Sequence, residues 1–389
     1  MKTISLCIEK YAPPGNGLGF YQDKAVFVPQ TTVGDEVLVS VEKEKKRYII
    51  GSLQNVEKPG PGRRQVPCPH YAECGGCDLL HLPYKDQLEL KKEMLAQVLA
   101  GAGIEVGTNM VAAPEEFYYR HRALFRYDQK SGSLGFFRRR THQVAAVPGC
   151  LVLAPALSQL LKSLLKSPEL LGKTTSFYGL ASSGGTFAAV SSAAGGRKFK
   201  ALSGIPETVI ENYGFGDLEL AASGFAQANP AVTRLLIFDL LKNCTKAGNV
   251  AELYGGSGTF SLALATIAAN LTVYESDPAA VARGRRNAAR NGFKNVRFIS
   301  GRVERKSLPT ALDTLVVDPP RSGLNPDVVE KIAQSPAAKI IYISCNPATL
   351  ARDLDRLIKI DKDLTLESIT GYDMYAGTTH LEVMAVLKR

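Results

Sequence analysis

Cys345 stands in the run Ile341-Tyr342-Ile343-Ser344-Cys345-Asn346-Pro347-Ala348-Thr349-Leu350. The β-rich residues predict a strand over Lys339–Ile343, Asn346-Pro347 is turn chemistry, and Leu350, Leu354 and Leu357 fall on one helical stripe. That layout puts the thiol at the carboxyl end of a strand, where open α/β sheets hold their ligands. A thiol close before a helix start is expected to have a lowered pKa and to serve as a nucleophile. A strand-end cysteine that merely packs is the plain alternative. Two carboxylates belong to the same picture. Asp318 follows the apolar run Thr314–Val317 and opens Asp318-Pro319-Pro320-Arg321-Ser322-Gly323. Glu382 lies in the apolar stretch Thr379–Val386, read as a late strand. A carboxylate partly desolvated there has a raised pKa and suits proton abstraction.

Three more thiols, Cys68, Cys74 and Cys77, sit close together, with Gly75-Gly76 letting the backbone wrap tightly. This suits a metal site, and both zinc and a [4Fe–4S] cluster need a fourth ligand. His70 and His81 are the local candidates, and Cys150 is a distant one that all-thiolate ligation favours. Spacing alone does not separate zinc from iron–sulfur. Cys7 and Cys244 fall in no such pattern.

The elements that must position these groups alternate helix and strand from about residue 221 onward. A predicted strand over Asn249–Tyr254 ends in Gly255-Gly256-Ser257-Gly258-Thr259-Phe260, a helix follows over Ser261–Ala269, and the next strand, Leu271–Tyr274, ends at Glu275. A glycine-rich first βα turn lets a ligand approach the backbone, and an acidic residue about twenty positions on can hold ribose hydroxyls. Such a site suits a nicotinamide dinucleotide or S-adenosylmethionine, and the G-x-G-x-x-G pattern of the former is absent.

Upstream, residues 2–58 read as a small all-β unit with strands over Thr3–Ile8, Lys24–Val28, Glu36–Val41 and Tyr48–Val56. A five-stranded OB-type barrel, a fold that binds oligonucleotides, is expected there. After a Pro/Gly linker come a helix over Lys85–Leu99, a hairpin over Ala123–Tyr127 and Leu134–Phe137, and a helix over Leu151–Leu165. Arg120, Arg122, Arg126, Arg138, Arg139 and Arg140 interleave with aromatic residues around that hairpin, a pattern that neutralises phosphates and stacks on unpaired bases. The 389 residues allow two or three domains, and a net charge of +10 points to a polyanion, nucleic acid before membrane. No apolar run is long enough to span a bilayer and the N-terminus lacks an apolar signal segment, so a cytoplasmic protein is expected.

Taken together, S-C-N-P-A-T-L-A-R-D at 344–353, D-P-P-R-S-G at 318–323, F-A-Q at 225–227, H-L-E at 380–382 and the cysteine spacing resemble the RNA (uracil-5-)-methyltransferases. The likeness is greatest to the bacterial 23S ribosomal RNA members that carry a TRAM domain and an iron–sulfur cluster. G-x-G-F-Y at 17–21 with V-G-D-E-V at 33–37 carries the TRAM part. The resemblance implies an α/β protein in three parts. An OB-like TRAM barrel would occupy residues 1–58 and a central α+β domain residues 59–220, with a [4Fe–4S] cluster on Cys68, Cys74, Cys77 and Cys150. A doubly wound, Rossmann-like methyltransferase domain would occupy residues 221–389.

The implied activity is S-adenosylmethionine-dependent methylation of uridine C5 in 23S rRNA, with the tRNA T-loop uridine as the alternative, by a monomer without an obligate protein partner or membrane. Cys345 would add to C6, and Glu382 would take the C5 proton. Gln227, Tyr254, Thr259, Glu275 and Asp318 would contact the cofactor, unless Asp318 faces the uracil. Two positions depart from the family pattern. Tyr254-Gly255-Gly256 lacks the usual cysteine, a loss expected to be harmless, and Arg302 stands where an acidic or amide residue meets adenine, although its side chain has no acceptor. A non-catalytic RNA-binding iron–sulfur protein, the reading from another class, would need neither Cys345 nor Glu382.

Overall fold

The computed structural model describes residues 2–192 and 199–389. The N-terminal part comprises β1 (Thr3–Cys7), β2 (Lys10–Ala12), β3 (Asn16–Tyr21), β4 (Lys24–Val28), β5 (Glu36–Glu44) and β6 (Tyr48–Lys58), paired in the order β1-β5-β6-β4-β3-β2. Alternate residues, among them Ile4, Leu6, Val26, Val28, Val37 and Val39, share one core. The sheet has six strands where five were expected. Glycines mask β3 in the sequence because the strand passes so close to its neighbours: a Cβ on Gly19 would lie 2.3 Å from the Cys7 carbonyl oxygen.

Next come α1 (Tyr84–Gly101) and β7 (Thr108–Val111), followed by β8 (Arg122–Asp128), β9 (Ser133–Phe137) and β10 (Val144–Ala146). The last three form a second sheet with β11 (Ser176–Ala181), β12 (Phe187–Ser192) and β13 (Phe199–Ala201). Helix α2 (Pro155–Lys166) packs Leu157, Leu160, Leu161 and Leu164 on Phe125 and Phe177 of this sheet. It begins at Pro155 rather than Leu151. Proline suits a first helical position, and the preceding residues instead bond the chain at Tyr118–Arg120, with Arg120 N–H to Val152 O at 2.8 Å. A hairpin of β14 (Thr208–Asn212) and β15 (Asp217–Ala221) follows.

The remaining elements are α3 (Pro230–Asn243), β16 (Asn249–Leu253), α4 (Ser261–Ala265), β17 (Asn270–Glu275), α5 (Pro278–Arg290), β18 (Val296–Ser300), β19 (Thr314–Val317), α6 (Pro326–Ala333), β20 (Lys339–Ser344), α7 (Pro347–Ile360), β21 (Thr365–Tyr372) and β22 (Glu382–Lys388). They build an eight-stranded sheet in the order β18-β17-β16-β19-β20-β22-β21-β7. β16 to β20 run parallel and β22 runs antiparallel to β20. Helices α3, α4 and α5 bury one face, and α1, α6 and α7 the other. The strands at the centre are apolar throughout because both faces are covered. β7 and α1 come from the stretch assigned to the central domain, so the catalytic layer also recruits residues 84–111. Among the described residues no helix is long and apolar enough to cross a membrane.

Candidate active site

Strand periodicity brings the three singled-out groups together. In β20, Ile341 and Ile343 face the α3–α5 side and Ile340 and Tyr342 face the other. Cys345 continues the first series. In β19 Val316 lies on that same side, which carries Asp318 there, and in β22 Met384 does, which carries Glu382 there. Ser344 pairs with Val383 across the antiparallel β20–β22 ladder, so Cys345 and Glu382 are the next opposed residues, at the carboxyl end of the parallel strands. The strand proposed over Thr379–Val386 begins only at Glu382, which places this carboxyl at a strand start.

The turn that holds Cys345 is tied to the Asp318–Gly323 loop. Asn346 caps α7, its Oδ1 accepting from Ala348 N–H at 3.2 Å, while its Nδ2 donates to Arg321 O at 3.0 Å. Thr349 Oγ1 donates to the same carbonyl at 3.3 Å. Asp353, the last residue of the motif, is buried and structural: Leu324 N–H (2.8 Å) and Tyr342 O–H (2.9 Å) both donate to its Oδ2.

Burial pushes the Glu382 carboxyl well above the usual carboxylate range, the charge of Asp318 adds to this, and Arg321 opposes it. Burial also pushes Asp318 up to about 7. The Cys345 thiol is pushed up to about 11, first by burial and then by Glu382, with Arg321 pulling the other way and Asp318 adding further. This corrects the lowered value expected from the helix start: loss of water and two carboxyls outweigh the α7 N-terminus. On its outer side Cys345 borders a groove of about 430 Å³ between Pro13-Pro14 and α1, with Arg321 and His380 in its wall.

Of the cofactor candidates, Tyr254, Thr259 and Glu275 lie at the carboxyl ends of β16 and β17. A Cβ on Gly255 would lie 2.3 Å from Val273, whereas Gly256, at φ +56°, faces open space. Tyr254 at φ +65° is a left-handed tyrosine, a conformation costing about 1–3 kcal/mol. Glu275 closes β17 and accepts from Gly256 N–H at 3.0 Å. Gln227 is buried with its Oε1 unpartnered, which costs about 1–3 kcal/mol until a donor arrives. Thr259 is half-buried in the same turn, and Arg302 is exposed. An open glycine turn, a carboxylate and an unsatisfied amide fit an S-adenosyl group. Glu252, which the sequence pattern did not mark, is fully buried beneath the turn. Burial pushes it up to about 8, and Ser261 O–H donates to its Oε2.

Cys68, Cys74, Cys77 and Cys150 line one cavity of about 270 Å³, together with Arg120, Thr378 and His380. Gly75 N–H donates to Phe137 O at 3.0 Å and Arg139 donates to Cys77 O at 2.6 Å, fixing the thiol loop on the end of β9. His81 is not available as a ligand: it is buried, bonded to Tyr71 O–H (2.8 Å) and Thr31 O (3.1 Å), and pushed down to about 4 by burial. Among the described residues no group of three or more His, Cys, Asp or Glu side chains is placed to hold a metal ion.

The arginine-rich hairpin also makes contacts within the protein. Arg126 lies over Phe137 (4.3 Å), Arg122 over Tyr178 (4.8 Å), Arg138 pairs with Glu73 and Arg140 with Glu42. Those side chains largely serve internal contacts. The residue that sequence reasoning missed is Tyr375, in the β21–β22 connection. Its hydroxyl pKa is raised by burial and by Glu382 and Cys345, and Arg120 stacks on its ring at 5.7 Å. No periodicity marks a lone loop tyrosine.

The family described as tRNA (Uracil-5-)-methyltransferase matches residues 306–389, and Methyltransferase small domain matches residues 225–339. The 23S rRNA (uracil(1939)-C(5))-methyltransferase RlmD of Pseudomonas entomophila is 32% identical, with 100% of this chain and 94% of that protein covered. Its namesake in Vibrio parahaemolyticus is 30% identical, with coverage of 98% and 95%. An uncharacterized RNA methyltransferase of Bacillus cereus is 28% identical, with coverage of 100% and 97%. The solved tRNA (uracil-54, C5)-methyltransferase of Pyrococcus abyssi, in complex with S-adenosyl-L-homocysteine, has the same fold: the TM-score is 0.78 over 99% of this chain and 100% of that one, at 23% identity. Likeness that runs the full length of the chain at this level makes it an enzyme of the RNA (uracil-5-)-methyltransferase family.

Proposed function

We propose that this enzyme methylates C5 of a uridine in 23S rRNA through a covalent adduct on Cys345. The observation that carries the reading is the opposition of Cys345 and Glu382 across β20 and β22, with Asp318 on the same face. Uracil C5 is a poor nucleophile. Addition of the Cys345 sulfur to C6 turns the ring into an enolate whose C5 carries the electron density. When bound, S-adenosylmethionine supplies an electrophilic methyl group. Glu382 then removes the C5 proton, the C6–S bond breaks, the C5=C6 double bond returns and Cys345 is free again. A carboxylate with a raised pKa is the stronger base for that step. The raised pKa keeps the Cys345 thiol protonated at rest, so its proton passes to solvent as the sulfur adds to C6, and the proton that Glu382 takes from C5 restores the thiol when the C6–S bond breaks.

Glu275, Tyr254, Thr259 and Gln227 are the proposed cofactor contacts. Asp318 follows β19, which lies between β16 and β20, and is proposed to face the cofactor or the uracil. The four-thiol cavity is proposed to hold a structural [4Fe–4S] cluster on Cys68, Cys74, Cys77 and Cys150. The N-terminal sheet is proposed as an OB-like TRAM unit that meets RNA through the exposed Lys43, Lys45, Lys46 and Arg47. The target base must leave its stack to reach Cys345. The names of the 30–32% identical relatives support 23S rRNA as the substrate. Mapping 5-methyluridine across rRNA and tRNA, in cells with and without the protein, tests this. One 23S position should lose its methyl group. Loss in tRNA alone would move the assignment to the T-loop, and no loss anywhere would contradict the reading.

A further inference from the structure

The connection that ends on Glu382 is gripped from outside the catalytic strands. Gly377 N–H donates to Gln87 Oε1 at 2.8 Å. Gly377 O accepts from the Asp78 (2.8 Å) and Leu79 (2.9 Å) amides, the two residues after Cys77. Ala376 O accepts from Tyr119 O–H at 2.8 Å, and Tyr375 O from Lys91 Nζ at 3.0 Å. Lys91 also pairs with Asp373 at 2.5 Å, both fully buried. Gln87 is buried too, and its Nε2 donates to Leu82 O (3.0 Å) and Glu116 (3.2 Å), so the amide is engaged at both ends. Gly377, at φ +78°, leaves no room for a side chain: a Cβ would lie 2.7 Å from Leu80 Cδ2 and 3.9 Å from Cys77 Sγ.

We propose that Gln87 and Gly377 are positioning residues for the base Glu382, and so govern proton removal from C5 separately from formation of the Cys345 adduct. The inference rests on the roles assigned to Cys345 and Glu382 above. The two groups share the β20–β22 ladder, but the segments that flank them are tied to different parts of the molecule. Cys345 is fixed by β20 and by the Asn346 and Thr349 bonds to Arg321 O. Glu382 pairs with Tyr372 at the first position of β22 and is reached through a segment whose backbone is bonded at residues 375, 376 and 377 to residues 78–119. Loosening that grip moves the base relative to a nucleophile that stays put. A shift on the order of 1 Å costs about a hundredfold in the step concerned.

Gln87→Leu removes the acceptor for Gly377 N–H, and Gly377→Ala forces the segment off Leu80. Each is assayed against wild type with the RNA that the wild-type enzyme methylates. Turnover, thermal unfolding, and label from the methyl donor in the protein–RNA adduct on a denaturing gel are all recorded. Both variants should form methyl-bearing adduct at the wild-type rate but release it about a hundredfold more slowly, so that labelled adduct accumulates. Tyr119→Phe, which loses one neutral hydrogen bond, should show the same pattern more weakly. Turnover equal to wild type, or a loss of turnover in which adduct formation falls equally and no labelled adduct builds up, would overturn the inference. If Gln87→Leu fails to fold, Gly377→Ala and Tyr119→Phe decide by the same criteria. Wild-type protein that forms neither adduct nor 5-methyluridine would instead sink the proposed function, and this inference with it.

Discussion

Five cysteines of this chain stand in two contrasting surroundings. Around the central cavity, burial raises Cys77, and the next largest influences on it are other thiols, Cys150 and Cys74. Around Cys345 burial is followed by carboxyls and a guanidinium: Glu382, Arg321 and Asp318. Thiols gathered in this way oppose one another's ionisation. The cluster proposed there would take up their charge. A thiol that faces a basic carboxyl and borders a groove is suited to attack a substrate and be released again. The residue type is identical, and the neighbours decide whether it acts as ligand or as reagent.

The largest expected effect falls on Cys345. Cys345→Ala should abolish 5-methyluridine formation in a purified assay while cofactor binding, measured by calorimetry, survives; residual turnover would erase the contrast with the central thiols. Cys77→Ser should act differently. Bound iron, measured by metal analysis, should be lost and thermal stability should fall by several kcal/mol, with turnover of the folded, RNA-bound fraction reduced less than about tenfold. Full iron content in Cys77→Ser would remove that thiol from the ligand set.

The smallest effect tests the carboxyl side of the comparison. Glu252, like Asp318 and Glu382, is buried with a raised pKa, but no thiol opposes it. A carboxyl whose folded value is about 8, against an ordinary 4.5, contributes stability that is complete below about pH 4.5 and is lost as pH rises through about 8. Glu252→Gln stays neutral. It should match wild type near pH 5 and be more stable by about 4 kcal/mol near pH 9, by denaturant unfolding. Equal stability of the two proteins at pH 9 would mean that Glu252 ionises freely in the fold.

Much of this site is legible in the chain because it obeys strand periodicity. Asp318, Cys345 and Glu382 follow or begin apolar runs, and alternation assigns their face. What escaped has a physical reason in each case. β3 is hidden because close backbone approach replaced its side chains with glycine. The direction of the Cys345 shift depends on carboxyls from two other strands, which a helix-start argument does not contain. Gln87 and Gly377 lie 290 residues apart, and a buried amide on a helix looks like any other polar residue until its partner is known. The arginines near Phe137 read as an RNA surface, and charge pattern alone does not reveal that Glu42, Glu73 and Asp78 pair with them.

The central claim is that Cys345 bonds to the target base and that a separate base frees it. RNA carrying 5-fluorouridine tests it directly, since fluorine at C5 does not leave as a proton and the adduct is trapped. The trapped complex is digested and the peptide bearing the nucleotide is sequenced by mass spectrometry. The nucleotide should sit on Cys345. No trapped complex, or a nucleotide on any of Cys68, Cys74, Cys77 or Cys150, would contradict the account.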